Sequence, residues 1–205
     1  MRALISVAVF GIGLAAGTAD AASVLQVRAG TGSPAMVSPA NDYPFLPTPA
    51  AVTRNGVLET TGAGRLTFEY LGHEAGWVNS FLVEGKDCFR TGSSKVGATC
   101  SAATSGGAID FQFRASPRGP EAGSAVWSNR APPRSAQNYS VGLVQEAPNT
   151  FLILWNASAH DGDYDDLGVR VVFEPAPPRH RERQGVMLAG VIGAAGFVRR
   201  RTRAA

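Results

Sequence analysis

The sequence predicts an all-β fold, an antiparallel β-sandwich of which the jelly roll is one form. The 205 residues include 24 glycines and 13 prolines, which is a high share of turn-forming residues. The apolar runs are short and rich in Val, Leu, Ile and Phe, and the central chain shows no helical period. We therefore expect many strands, preceded by a signal helix and followed by a short hydrophobic helix.

The first 21 residues have the pattern of a secretory signal peptide. Arg2 precedes an apolar stretch at 3–17, and Ala19-Asp20-Ala21 then places small residues where a signal peptidase reads them. We predict export with cleavage after Ala21, so signal peptidase is the first expected partner. An uncleaved anchor helix is the alternative.

The predicted β-sandwich spans 51–174 and follows an extended segment at 22–50 that is rich in proline and glycine. In three stretches apolar residues alternate with polar ones, which is the period of a strand with one buried face. The run from Phe151 to Trp155 is apolar throughout, so we expect it in the middle of a sheet. The alternating strands are predicted at 66–70, 109–113 and 167–173, and further strands at 24–28, 139–144 and 151–155.

The two cysteines, Cys88 and Cys100, are predicted to form a disulfide. Export would place them in an oxidising compartment, where an even number of cysteines favours a bridge. Closing a loop of about a dozen residues would stabilise the fold by ~3 kcal/mol in the chain-entropy estimate. Two unpaired thiols are the alternative.

The formal net charge of +3 comes from the ends of the chain. Residues 22–178 contain 11 basic and 14 acidic side chains, so this part is mildly acidic. Most other basic residues lie beside the apolar C-terminal stretch and do not alternate with aromatic ones. Nucleic acid is therefore not expected as a partner.

The C-terminal end is predicted to be directed to a membrane. After a linker at 175–184, an uncharged apolar stretch at 185–198 precedes a basic tail at 199–205. As a helix this stretch would extend about 21 Å, short of the ~30 Å hydrocarbon core of a bilayer. The arginines after it would stay cytoplasmic, which leaves the domain outside.

This end resembles the PEP-CTERM sorting signal of exosortase-processed bacterial surface proteins, over about the last 32 residues. The resemblance implies that an exosortase-type enzyme removes the tail and that the protein reaches the cell surface or an exopolysaccharide matrix. An unprocessed membrane anchor is the alternative, because Phe173 stands in place of the first proline and a charged insert precedes the helix. The motif residues are Glu174, Pro175, Arg199, Arg200 and Arg201.

The densest polar segment is 161–166, with the sequence DGDYDD. Alternating aspartates on a glycine-containing loop can turn several oxygens towards one hard cation, so we predict a structural Ca²⁺ site. An EF-hand is excluded, because its sixth and twelfth positions lack the required Gly and Glu. The alternative is that these carboxylates form Asx turns at a hairpin tip. The predicted ligands are Asp161, Asp163, Asp165, Asp166 and, if its strand is a neighbour, Glu74.

Together with the Glu-Ala-Gly…Asn-x-Phe stretch at 74–81, the residues 163–167 (DYDDL) resemble the acidic signature of uncharacterised extracellular bacterial β domains that occur with PEP-CTERM tails. The resemblance carries no established activity. We therefore expect a non-enzymatic surface or matrix protein.

Two other functions are considered. A carbohydrate-binding matrix module would need an exposed indole, and Trp127 is the tryptophan expected to face a ligand, whereas Trp155 is expected in the core. A metal-dependent hydrolase would use His73, His160 and the aspartates, but no H-x-x-x-H spacing supports it, and no G-x-S-x-G elbow is present for a serine hydrolase.

Overall fold

A computed structural model describes residues 22–28, 35–37, 50–74, 76–116, 125–132, 139–157 and 164–177. These residues form β-strands and no helix, and the strands pair antiparallel. The all-β prediction is therefore confirmed for this part of the chain. The predicted helices at 1–21 and 185–198 lie outside it.

The described strands are β1 Leu25–Arg28, β2 Ala35–Val37, β3 Ala50–Arg54, β4 Val57–Thr60, β5 Gly64–Gly72, β6 Val78–Val83, β7 Lys86–Arg90, β8 Thr99–Thr104, β9 Gly107–Ala108, β10 Phe111–Ser116, β11 Ala125–Ser128, β12 Ser140–Ala147, β13 Thr150–Asn156 and β14 Leu167–Pro175. They form a seven-stranded sheet in the order β2-β3-β12-β13-β14-β5-β8, a four-stranded sheet in the order β11-β10-β6-β7, and a three-stranded sheet in the order β1-β4-β9.

Strand β13 lies between β12 and β14, as its continuous apolar sequence predicts. Because successive side chains of a strand point to opposite faces, Phe151, Ile153 and Trp155 enter the main core, while Leu152 and Leu154 enter a second cluster on the other face. Both faces of the strand are buried. The rule that a two-sided apolar run marks a central strand therefore holds here.

The main core joins the seven-stranded and four-stranded sheets. The ring of Phe68 on β5 lies 5.3 Å from that of Phe81 on β6, and the ring of Phe113 on β10 stacks at 5.1 Å on that of Trp155 on β13. Each buried aromatic side chain contributes roughly 1.5–3 kcal/mol through removal from water. Aromatic residues of the two sheets therefore contact one another in the shared core.

Cys88 and Cys100 form a disulfide, which confirms the predicted pairing. Cys88 lies on β7 and Cys100 on β8, so the bridge joins an edge strand of one sheet to an edge strand of the other. In β7, Phe89 pairs with Phe81 and Asp87 with Leu82, which leaves Cys88 as the extra residue of a bulge. A bulge changes the direction of a side chain, and here Cys88 and its neighbour Phe89 both contact the core.

Candidate functional site

The acidic segment connects β13 to β14 at one end of the domain. Tyr164, Asp165 and Asp166 lie in the described part of the chain, whereas Asp161 and Asp163 lie outside it. The described part of this segment starts with Tyr164, a fully buried side chain on a backbone with φ of 61°. The left-handed region is unfavourable for a bulky residue, so strong side-chain contacts are needed to hold Tyr164 there.

Those contacts fix Tyr164 against the outer face of the seven-stranded sheet. Its ring lies over Gly142, where a Cβ would be 3.1 Å from the ring and 2.4 Å from Val52 Cγ1. The Ser140 hydroxyl donates a 2.9 Å hydrogen bond to the Tyr164 hydroxyl oxygen, and the Arg54 guanidinium lies 5.5 Å from the ring centroid. Tyr164 therefore anchors the acidic segment to the sheet. The sequence did not predict this role, because the aspartates on either side of Tyr164 carried the metal-site prediction.

Asp166 closes the connection at its base. Its Oδ2 accepts a 2.5 Å hydrogen bond from the backbone N–H of Ala157, the residue directly after β13. Its backbone carbonyl accepts a 3.2 Å bond from the Asn79 side-chain amide. This bond spans nine residues, so it closes the connection as a whole and is not one of the local Asx turns of the alternative prediction. Asp166 thus links the end of β13, the start of β14 and the start of β6.

Glu74 lies beside this segment, as the calcium prediction required. Strands β5 and β14 are paired, and the backbone N–H of Glu74 donates a 3.0 Å hydrogen bond to the carbonyl of Asp165. Asp165 itself is 7% exposed. Among the described residues, no group of three or more His, Cys, Asp or Glu side chains could hold a metal ion.

Asn79 forms a buried hydrogen-bond centre beneath the segment. Its side-chain carbonyl accepts a 3.2 Å bond from Trp155 Nε1, and its backbone N–H donates to the Thr91 hydroxyl oxygen at 3.0 Å. Thr91 in turn donates its hydroxyl to the carbonyl of Trp77 at 3.1 Å. Buried polar groups are stable when they are paired in this way. The network holds the β5–β6, β7–β8 and β13–β14 connections together at one end of the domain.

His73 is engaged with a buried tyrosine. The Tyr70 hydroxyl lies 2.5 Å from His73 Nδ1. Burial raises the pKa of Tyr70 above its ordinary value, and its hydroxyl shares one hydrogen bond with Nδ1, in which the donor depends on the tautomer of His73. His160, its proposed partner in a hydrolase, lies outside the described residues. The Nδ1 of His73 therefore has a structural partner.

The prediction that Trp127 faces a ligand is wrong. Trp127 is 0% exposed, its ring lies 5.7 Å from that of Phe111, and its Nε1 donates a 3.1 Å hydrogen bond to Asn55 Oδ1. The reason is the alternation along β11, which turns Val126 to solvent and Trp127 into the core. Trp77, at 39% exposed, is the tryptophan with a solvent-facing surface.

The residues of the predicted sorting motif lie only partly within the described chain. Glu174 and Pro175 end β14, paired with Arg65 and Gly64 of β5, while Arg199, Arg200 and Arg201 lie outside the described residues. Within the described part, no helix has the length and hydropathy needed to span a membrane. Comparison with known proteins finds no matching protein-family model, no matching curated protein and no matching solved structure.

Proposed function

We propose that the chain is a non-enzymatic protein exported to the cell surface or the extracellular matrix and sorted there by a PEP-CTERM-like tail. The observation that supports this best is the disulfide between Cys88 and Cys100. Stable structural disulfides belong to oxidising compartments. This bridge joins edge strands of two different sheets, so it stabilises the whole fold and not only a local loop.

We infer that the facing seven-stranded and four-stranded sheets form a β-sandwich, with the jelly roll as its predicted form. The shared aromatic core favours this arrangement, since the inner faces of both sheets contribute to it. A rigid sandwich with a cross-sheet disulfide suits a protein that must persist outside the cell.

The hydrogen bonds that the polar side chains at this end of the domain make within the fold favour a non-enzymatic role. Asn79 and Thr91 bond to each other and to neighbouring backbone, and Asp166 closes the β13–β14 connection. A general acid or base must reach a substrate proton in an accessible site. These buried groups are instead occupied in holding three loops together.

Calcium remains part of the proposal as a structural ion of the acidic segment. Asp165 is nearly buried beside the backbone of Glu74, and carboxylates crowded within six residues repel one another unless a cation is present. The ion would then stabilise the same connection that Tyr164 anchors.

Export can be tested by the state of the two thiols. The full chain and a variant that lacks residues 1–21 are expressed in the same bacterium, fractionated and treated with a thiol-alkylating reagent. We expect the full chain on the outside of the cell with both cysteines protected until reduction, and the truncated variant inside the cell with both alkylated. A Cys88→Ser/Cys100→Ser variant controls for labelling. Full-length protein in the cytoplasm with reduced thiols would overturn the proposal.

A further inference from the structure

A cavity of about 170 Å³ opens between the end of β8 and the turn that joins β6 to β7. Both apolar and charged residues line it, its exposed surface is more polar than apolar, and the lining comes from segments far apart in the sequence. This volume is below the ~300 Å³ at which pockets for drug-sized molecules begin, so the cavity encloses one small ring at most. The apolar part of the lining includes Leu66, Val83 and Ile109, and the charged rim consists of Glu84, Asp110 and Arg130.

The rim is held in place by the backbone. The N–H of Glu84 donates a 3.0 Å hydrogen bond to the carbonyl of Asp110, and Arg130 Nη1 lies 3.5 Å from Asp110 Oδ2. Next to Arg130, the buried Asn129 donates its side-chain amide to the carbonyl of Ile109 at 2.8 Å. The turn that carries Glu84 and the ion pair of Asp110 with Arg130 are therefore in place at the cavity before any ligand arrives.

No contact within the described part of the chain explains why a glutamate occupies position 84. Its φ is 52° in the two-residue turn with Gly85, where asparagine is the favoured residue at this position. The other non-glycine residues with left-handed backbone in the described part of the chain are Asn55, Asn149 and Tyr164. Asparagine favours this conformation, and Tyr164 is held in it by its side-chain contacts. The Glu84 carboxylate makes no hydrogen bond or ion pair within the described part of the chain. A strained backbone that carries such a group at the rim of a cavity indicates a functional role.

We propose that this cavity binds one hydroxylated ring of a carbohydrate. Carboxylates accept hydrogen bonds from hydroxyl groups and a guanidinium donates them, so the rim can bond to neighbouring hydroxyls of one ring. The smaller apolar part of the lining, which includes Leu66, Val83 and Ile109, can contact the C–H face of the ring. Because Asp110 is ion-paired with Arg130, a cation that pairs with Glu84 is the competing ligand, and the test includes one. The proposal names a ligand for a matrix protein, but it holds or fails independently of export.

The test is an amide chemical-shift titration of the full chain, purified after export. The probes are methyl α-glucoside, methyl β-galactoside, methyl α-mannoside and N-acetylglucosamine, each raised to about 50 mM, because a single ring of this size binds with a Kd of about 1 mM. We expect at least one sugar to shift the amides of Glu84, 104–108 and Asp110 in a saturable way. The absence of such shifts with every probe would overturn the proposal.

Two variants, Asp110→Asn and Glu84→Asn, probe the rim, and a third variant is the matched control. Asp110→Asn is expected to weaken the bound sugar about tenfold or more, because a hydrogen bond to a charged group is lost. Glu59→Gln serves as the control, since Glu59 is also a partly exposed carboxylate that is ion-paired with an arginine, Arg28, but does not line the cavity. Equal weakening by Glu59→Gln would contradict the site.

Glu84→Asn separates binding from folding. Asparagine relieves the left-handed strain, so we expect the melting temperature to rise by about 2–4 °C while the sugar binds about tenfold more weakly. A variant that lowers the melting temperature and leaves binding unchanged would show a purely structural Glu84 and overturn its role. Acetyl-lysine amide is titrated in parallel, and tighter binding of this cation than of any sugar would overturn the choice of ligand.

Discussion

The acidic segment before β14 and the cavity beside β8 use the same kinds of side chain in opposite ways. The segment concentrates its carboxylates within six consecutive residues. The carboxylate of one of them, Asp166, accepts a hydrogen bond from the backbone of Ala157. The cavity gathers Glu84, Asp110 and Arg130 from three separate connections beside a smaller apolar part of the lining. In this protein, charged residues that are close together in the sequence belong to a structural connection between strands. The charged residues that line the cavity are far apart in the sequence.

The largest loss of stability is expected at Tyr164, the anchor of the acidic segment, and it tests whether this segment is a structural connection. Tyr164→Ala removes a fully buried aromatic ring, so we expect the free energy of unfolding to fall by about 3–5 kcal/mol. Urea unfolding followed by tryptophan fluorescence measures it. Tyr164→Phe keeps the ring and loses only the bond from Ser140, so it should lose about 1 kcal/mol. A loss below 1 kcal/mol for Tyr164→Ala would show that the segment is not an anchored connection.

The disulfide gives the next largest effect, at the opposite end of β8 from the cavity. Cys88→Ser/Cys100→Ser should lower the free energy of unfolding by ~3 kcal/mol, because the unfolded chain regains the freedom of the closed loop. Hydrogen exchange should show the loss of protection concentrated in β7 and β8. Wild-type protein in reductant provides the matched control. Unchanged stability in reductant would mean that the bridge does not hold the two sheets together.

A smaller effect is expected from calcium removal, and it sharpens the role of the acidic segment. With Ca²⁺ at about 100 times its Kd, binding adds ~2.7 kcal/mol, so EDTA should lower the melting temperature by roughly 5–10 °C. Asp161→Asn/Asp163→Asn should abolish this response, while Asp110→Asn, at the distant cavity, should retain it. An unchanged melting temperature in EDTA, with no calcium in elemental analysis, would leave the segment as a connection without an ion.

The fold could be predicted where a signal is local and periodic. Alternation of apolar and polar residues located β5 and β14, and the two-sided apolar run placed β13 in the centre of its sheet. The cysteine pair could be predicted from its even count together with the predicted export. For Glu74 the sequence supplied only a condition, that its strand neighbours the last one, and the pairing of β5 with β14 meets that condition.

The rest depends on contacts between distant residues, for which one sequence has no signal. Trp127 was assigned to the surface because turn-forming residues surround it, yet the pairing of β11 with β10 directs it inward. Tyr164 serves as an anchor only because Gly142 leaves room for its ring. The cavity needs three connections to meet, and Asn79 bonds to Thr91 and Asp166, which lie 12 and 87 residues further along the chain. None of these pairings has a spacing that could be recognised in advance.

The most direct test of the central claim is the intact mass of the native protein, taken from the cell surface or matrix without reduction. Export with sorting predicts a chain that begins at Ala22, lacks the apolar stretch at 185–198 and is lighter by the two hydrogens of the disulfide. A mass that retains the C-terminal stretch would contradict sorting by an exosortase-type enzyme. The mass of all 205 residues, with two free thiols, would contradict the removal of the signal peptide, the removal of the tail and the formation of the disulfide.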